Sequence, residues 1–178
     1  MSDNSGYDIS SILTEMRQEY WQGLSEKTEV QEELIECITF ILGGEEFAFE
    51  TGYASEVIRV PKLVRLPGNS TLIIGVFNLR GEIIAAMDIR PMLGIPVPAL
   101  TGSARIIVIK GKNFTTGILT ESVLGVHSLP LGQFEAVVKS VDPSVREFLR
   151  GQINRGKEMS MLLDIAKLLD SPALVVNN

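Results

Sequence analysis

A chain of 178 residues with 45% hydrophobic and 21% charged side chains can bury one shared core or two small adjoining ones, which excludes a disordered or fibrous protein. The net charge of −6 is concentrated in the leader: residues 1–36 carry nine acids against Arg17 and Lys27, a net of −7, which leaves +1 for the rest. A nearly neutral body has no electrostatic footprint for phosphate backbones or anionic lipid, so nucleic acid is not expected. Apolar runs such as Leu72 to Phe77 fall far short of the roughly 20 residues a spanning helix needs, so direct membrane insertion is not expected either.

In chain order, residues 8–24 read as an amphipathic helix, with Ile9, Leu13, Met16, Tyr20 and Leu24 on one stripe and Trp21 as a possible anchor. The stripe docks on the body or on a partner. Met1 to Tyr7 has neither a basic region nor an apolar stretch, so no secretory signal is expected there. Residues 25–34 form a charged connection, and 1–35 as a whole form an acidic N-terminal extension.

From Cys37 the pattern becomes that of strands. Ile38–Leu42 and Glu46–Glu50 flank Gly43-Gly44, and Arg105–Lys110 and Phe114–Leu119 flank a second turn, so both read as hairpins. Further strands are expected over Ser55–Val60, Leu72–Asn78, Glu82–Met87, Glu121–Ser128, Phe134–Lys139 and Glu158–Leu163. Cys37, the one cysteine, reads as a small buried hydrophobe that cannot form an internal disulfide.

The chain repeats itself. A shift of 76 places superposes Pro67 on Pro143, Gly75 on Gly151, Asn78 on Asn154, Glu82 on Glu158, Asp88 on Asp164, Ile89 on Ile165 and Leu93 on Leu169. Seven identities in this 27-residue window stand against roughly two by chance. The opening hairpins match at a different offset, 68, with Ile38, Ile41 and Gly43 over Ile106, Ile109 and Gly111. The second unit has then gained eight residues, expected around Leu129 to Val138. Asp88 and Asp164 each stand where a strand ends and a short apolar helix begins, a position suited to accepting a backbone N–H. Short strands arranged twice suggest two small β-barrels.

Catalytic chemistry is poorly supplied. His127 is the one histidine, which rules out histidine-cluster metal sites, and in its apolar strand it reads as structural or exposed. Phosphate-cradling loops, nucleophile elbows and dinucleotide fingerprints are missing. Glu45-Glu46 beside a turn reads as solvated charge. Arg80 stands out: before Gly81 at a hairpin tip it reads as a turn residue, but folded back its planar fork would engage a carboxylate, with Glu56 the candidate. The second unit has Gly156 in its place, so the barrel itself does not require an arginine there.

The run Ile74-Gly75-Val76-Phe77-Asn78-Leu79-Arg80-Gly81-Glu82-Ile83-Ile84, followed by Met87-Asp88-Ile89-Arg90, resembles the CheW-like chemotaxis coupling (adaptor) family. The likeness continues through Gly117-Ile118-Leu119-Thr120-Glu121-Ser122-Val123 to Leu162-Leu163-Asp164-Ile165 and covers residues 36–171. It departs at Ala85-Ala86-Met87, where the family often has Pro-Val-Ile, and at Glu121, where Asp is common.

The resemblance implies a mainly β fold of two five-stranded SH3-like β-barrel subdomains with short helices. The first barrel is expected at about 36–95 and the second at about 104–157; a strand and helix at about 158–170 close the body before a tail at 172–178. It implies a non-enzymatic, cytoplasmic adaptor without cofactors, joining the cytoplasmic tips of chemoreceptors (methyl-accepting chemotaxis proteins) to the regulatory domain of the CheA histidine kinase. The receptor's helical hairpin would lie in a groove lined by Glu56, Val57, Asn78, Arg80, Gly81, Glu121, Val123 and Val126. Residues that contact the kinase are not assigned. The alternatives are a paralogue that fills receptor arrays without engaging the kinase, and a small enzyme using scattered carboxylates.

Overall fold

The computed structural model describes residues 13–20, 32–68, 71–137, 139 and 141–174. The chain forms two compact units, Met1–Glu33 and Leu34–Asn178. In the first, residues 13–20 form helix α1, with Leu13, Met16 and Tyr20 exposed. The rest of the helix expected over 8–24, with Trp21, lies outside the described residues.

Among its described residues the second unit holds ten strands: β1 (Leu34–Leu42), β2 (Glu45–Glu50), β3 (Ala54–Arg59), β4 (Ile73–Leu79), β5 (Glu82–Met87), β6 (Arg105–Lys110), β7 (Thr115–Thr120), β8 (Ser122–Pro130), β9 (Leu149–Arg155) and β10 (Glu158–Leu163). Helices α2 (Pro143–Arg146) and α3 (Ile165–Leu169) are short. The strands make two five-stranded sheets, ordered β8-β1-β2-β10-β9 and β3-β6-β7-β5-β4.

The two orders are one plan used twice, with the opening hairpins exchanged. Hairpin β1–β2 belongs to the first half of the chain but pairs with β8 and β10, while β6–β7 pairs with β3 and β5. The contiguous barrels expected at 36–95 and 104–157 are therefore not how the sheets are built. Chain order predicted neighbours, but the strand pairing crosses between the halves.

Register corrects the repeat as well. Ile38 faces Phe49 and Val126, while Ile107 faces Ile118 and Val57, so the opening hairpins and edge strands correspond at an offset of 69, not 68. The isolated bridges Val64↔Val76 and Glu135↔Gln152 add an offset of 71 for Val64 and Glu135 and keep 76 for Val76 and Gln152. The second half has thus gained seven residues rather than eight, two before Glu135 and five between Glu135 and β9. That last stretch leads into α2, where Asp142 accepts the Ser144 amide at 2.8 Å as the N-cap.

Strand β9 was not among the expected strands, and Phe134–Lys139 provides only the Glu135 bridge instead of a strand. Arg150, Gln152, Asn154 and Arg155 mask β9 as polar. The repeat points to it, because Leu72–Asn78 shifted by 76 is 148–154.

Both faces of the central strands are buried. One face, with Ile38, Phe40, Phe47, Phe49, Met87, Ile107, Ile109, Ile118, Met161 and Leu163, forms a core shared by the two sheets. The other faces fill the barrels: Phe77, Ile84, Ile106, Val108 and Leu119 in one, Cys37, Ala48, Leu129 and Leu162 in the other. Burial pushes the Cys37 thiol up to about 11, so it is protonated at neutral pH and packs as an apolar group.

The repeated glycines have a steric cause. A Cβ on Gly75 would lie 2.9 Å from the Val64 carbonyl oxygen, and one on Gly151 would lie 2.9 Å from the Glu135 carbonyl oxygen. In both halves the bridging segment crosses at that point. We expect Gly75→Ala and Gly151→Ala each to cost about 1–3 kcal/mol in urea unfolding. Gly102→Ala, where an added Cβ meets nothing within 4 Å, serves as the neutral control; equal losses at all three positions would contradict the steric account.

Candidate functional site

The β4–β5 turn has two residues, Arg80 and Gly81, with φ of 53° and 91°. Positive φ at both is what a tight hairpin needs to follow strand twist, and glycine meets that need without strain. Arg80 is the one non-glycine residue with positive φ among those described. Asn78 supports the turn by accepting the Gly81 amide at 3.0 Å through Oδ1.

The Arg80 side chain folds back onto β3. Its Nη1 donates to Glu56 Oε1 and its Nη2 to Glu56 Oε2, each at 3.0 Å, which realises the folded-back alternative over the plain turn residue. The arginine side chain remains 78% exposed and the glutamate 24%. Such a pair contributes about 0–1 kcal/mol, whereas a left-handed non-glycine residue costs of order 1–3 kcal/mol. Arg80 is therefore not explained by stability. Ser55, Glu82, Lys110 and Thr115 line a polar depression of about 300 Å³ with this pair.

Val57 and Val126 occupy the same position in the two halves. Each lies on the edge strand of its sheet, β3 or β8, next to a bulge, and they are 40% and 60% exposed. Val123 has Ala54 as its counterpart, and both pack partly against the shared core. Leu124 and Ile83, at 50% and 69% exposure, add apolar surface that the sequence reading did not single out. Leu124 sits at the β8 bulge and Ile83 faces Asn78 across the turn's hairpin, placements set by strand register.

Glu121 is placed differently from the other expected groove residues. Its Oε1 accepts from Arg90 Nη1 at 3.1 Å and from the Gly43 amide at 2.8 Å, so the carboxylate is engaged inside the fold. Arg90 is buried and also donates to Asp88 through Nε at 2.9 Å and Nη2 at 2.7 Å. The Asp88 hydrogen bonds hold the Arg90 guanidinium above its ordinary pKa against the opposing effect of burial. Arg90 entered the sequence analysis only as part of the family-like run and was given no role; an arginine two residues after the repeated Asp was the signal.

Other polar residues are structural. Glu46, read as solvated, is buried and bonded to Ser160 across the β2–β10 pair and to Arg155 at the end of β9. His127 Nδ1 lies 2.9 Å from Thr39 Oγ1 across the β1–β8 pair. Among the described residues, no three His, Cys, Asp or Glu are grouped to hold a metal, and no helix is long and apolar enough to cross a membrane.

Two five-stranded sheets on a shared core, with one strained turn residue and several apolar side chains exposed at the turn and strand edges, define a duplicated β protein with its free surface at those edges. The chain belongs to the CheW-like family: the model of the CheW-like domain matches residues 36–173. It is similar to the chemotaxis protein CheW of Bacillus subtilis, 29% identical over 137 residues, covering 75% of this chain and 85% of that protein. It is also similar to protein PilI of Pseudomonas aeruginosa, 28% identical over 118 residues and 66% of each chain. The crystal structure of scaffolding protein TtCheW from Thermoanaerobacter tengcongensis shares the fold, with a TM-score of 0.69 and 21% identity over 79% of this chain and 91% of that one.

Proposed function

We propose that this protein is a cytoplasmic adaptor coupling chemoreceptor tips to a CheA-type histidine kinase in a membrane-associated array. The receptor-facing surface comprises Glu56, Val57, Asn78, Arg80, Gly81, Val123 and Val126, with Glu121 acting from behind it. Arg80 is the observation that carries this reading: an exposed arginine held in a left-handed turn costs stability, and its counterpart Gly156 fills the equivalent turn with φ of 73°. A receptor helix laid against the apolar edges would meet the Arg80–Glu56 pair as its polar register mark.

The test is a pull-down of wild type, Arg80→Glu and Arg80→Gly against a soluble receptor tip and, separately, the kinase regulatory domain. Wild type binds both; each variant loses the receptor, keeps the kinase and still unfolds cooperatively. Arg80→Gly is the sharper variant, because it removes the guanidinium while relieving the backbone. Wild type binding the receptor but not the kinase would make the protein an array filler, and wild type failing to bind the receptor would overturn the adaptor reading.

A further inference from the structure

Several ion pairs of this protein have no counterpart across the internal repeat, and the one between Arg90 and Glu121 is largely buried. Glu121 is the single residue between β7 and β8, where the chain passes from the second sheet to the first. Its amide donates to the Ile41 carbonyl at 3.0 Å. Its carboxylate accepts from the Gly43 and Gly44 amides at 2.8 and 3.4 Å. Through Arg90, 1% exposed, the same carboxylate reaches the segment that follows β5 in the second sheet. One side chain thereby ties the end of β1 and its turn to the opposite sheet, at the root of the strand that carries Val123 and Val126.

The crossing does not need this tie. At an offset of 69 the counterpart of Glu121 is Gly52, and at 76 that of Arg90 is Ala166, so the equivalent passage from β2 to β3 is built without either charge. The repeat acts as an internal control. What the tie adds is specific to the β8 side.

We propose that Glu121 and Arg90 are positioning residues, a buried latch that fixes the β8 edge against the second sheet and so sets the geometry in which Val123 and Val126 meet a partner helix. This rests on the reading of that edge as receptor-facing. Glu121 then acts on the partner without touching it. Arg90 cannot touch it at all, and this separates positioning from contact.

The test uses the full chain as wild type, Glu121→Gln, Arg90→Lys and the double variant. Gln keeps the shape and one acceptor but not the charge, and Lys keeps the charge without the planar fork that serves two carboxylates at once. Amide exchange is read at Gly43, Gly44 and Val123 to Val126, and binding is read against a soluble receptor-tip hairpin. Each single variant is expected to speed exchange at those amides about tenfold, to leave the β4–β5 hairpin unchanged and to weaken tip binding by a similar factor. The double variant should fall short of the product of the two singles, because both break the Glu121–Arg90 contact while Arg90→Lys alone also loses the fork on Asp88.

Glu121→Gln losing the tip while Arg90→Lys binds it as wild type does would mean direct contact and overturn the proposal. Unchanged exchange at Val123 to Val126 would overturn it too. Should Arg90→Lys fail to fold, the exchange map of Glu121→Gln decides alone. If wild type itself does not bind the tip, the adaptor reading fails, while the exchange data still decide whether the latch holds β8.

Discussion

Residues 34–103 made as a separate polypeptide remain unfolded, and mixing them with residues 104–174 restores a single cooperative transition. This is the largest effect the topology predicts. Cut between the halves, β1 loses β8, β2 loses β10, β3 loses β6 and β5 loses β7, so neither fragment retains a complete sheet. The shared core goes with them: Phe40, Phe47 and Phe49 on one fragment lose Ile107, Ile109 and Ile118 on the other. Each such side chain returned to water costs roughly 1.5–3 kcal/mol, and a handful of them exceeds the roughly 5–15 kcal/mol that holds an ordinary domain together. Circular dichroism of each fragment and of the mixture measures this. A sigmoidal melt of residues 34–103 alone would show that the first half is a barrel in its own right.

The same exchange explains which features were readable in the sequence. Nine of the ten strands announced themselves, because turn residues at Gly43-Gly44, Arg80-Gly81 and Pro67 punctuate β-branched runs. Register and partnership did not. Ile106-Ile107-Val108-Ile109 is buried on both faces, so the alternation that would reveal a one-residue slip is missing, and matching isoleucines drew the repeat to 68 where hydrogen bonding gives 69. In the candidate site, Arg80, Asn78 and Gly81 were legible because a two-residue turn confines its own neighbourhood, whereas Glu56, 24 residues away, came in only as the carboxylate that a folded-back arginine would need. Glu121 was assigned to the surface because its partners, Gly43 and Arg90, are 78 and 31 residues away in the chain, and no local pattern links them.

Asp88 and Asp164 carry this lesson to a measurement, because they are one residue repeated and yet differ in what they do. Asp164 caps α3 by accepting the Lys167 amide at 3.0 Å; Asp164→Ala is expected to cost about 0.5–2 kcal/mol. Asp88 also accepts a backbone amide, that of Arg90 at 3.1 Å, but its main partner is the buried Arg90 guanidinium. Asp88→Ala leaves that charge buried with Glu121 alone, and removing one member of a buried pair costs about 3–5 kcal/mol. For a protein of this size the first substitution lowers the melting temperature by roughly 1–8 °C and the second by roughly 6–20 °C. Thermal melts of the two variants side by side check the ranking. Equal losses would mean that both aspartates are only caps, and that the latch at Glu121 stands without Asp88 behind it; the expected gap would mean that one half of a duplicated fold has turned a cap into the anchor of its partner-facing edge.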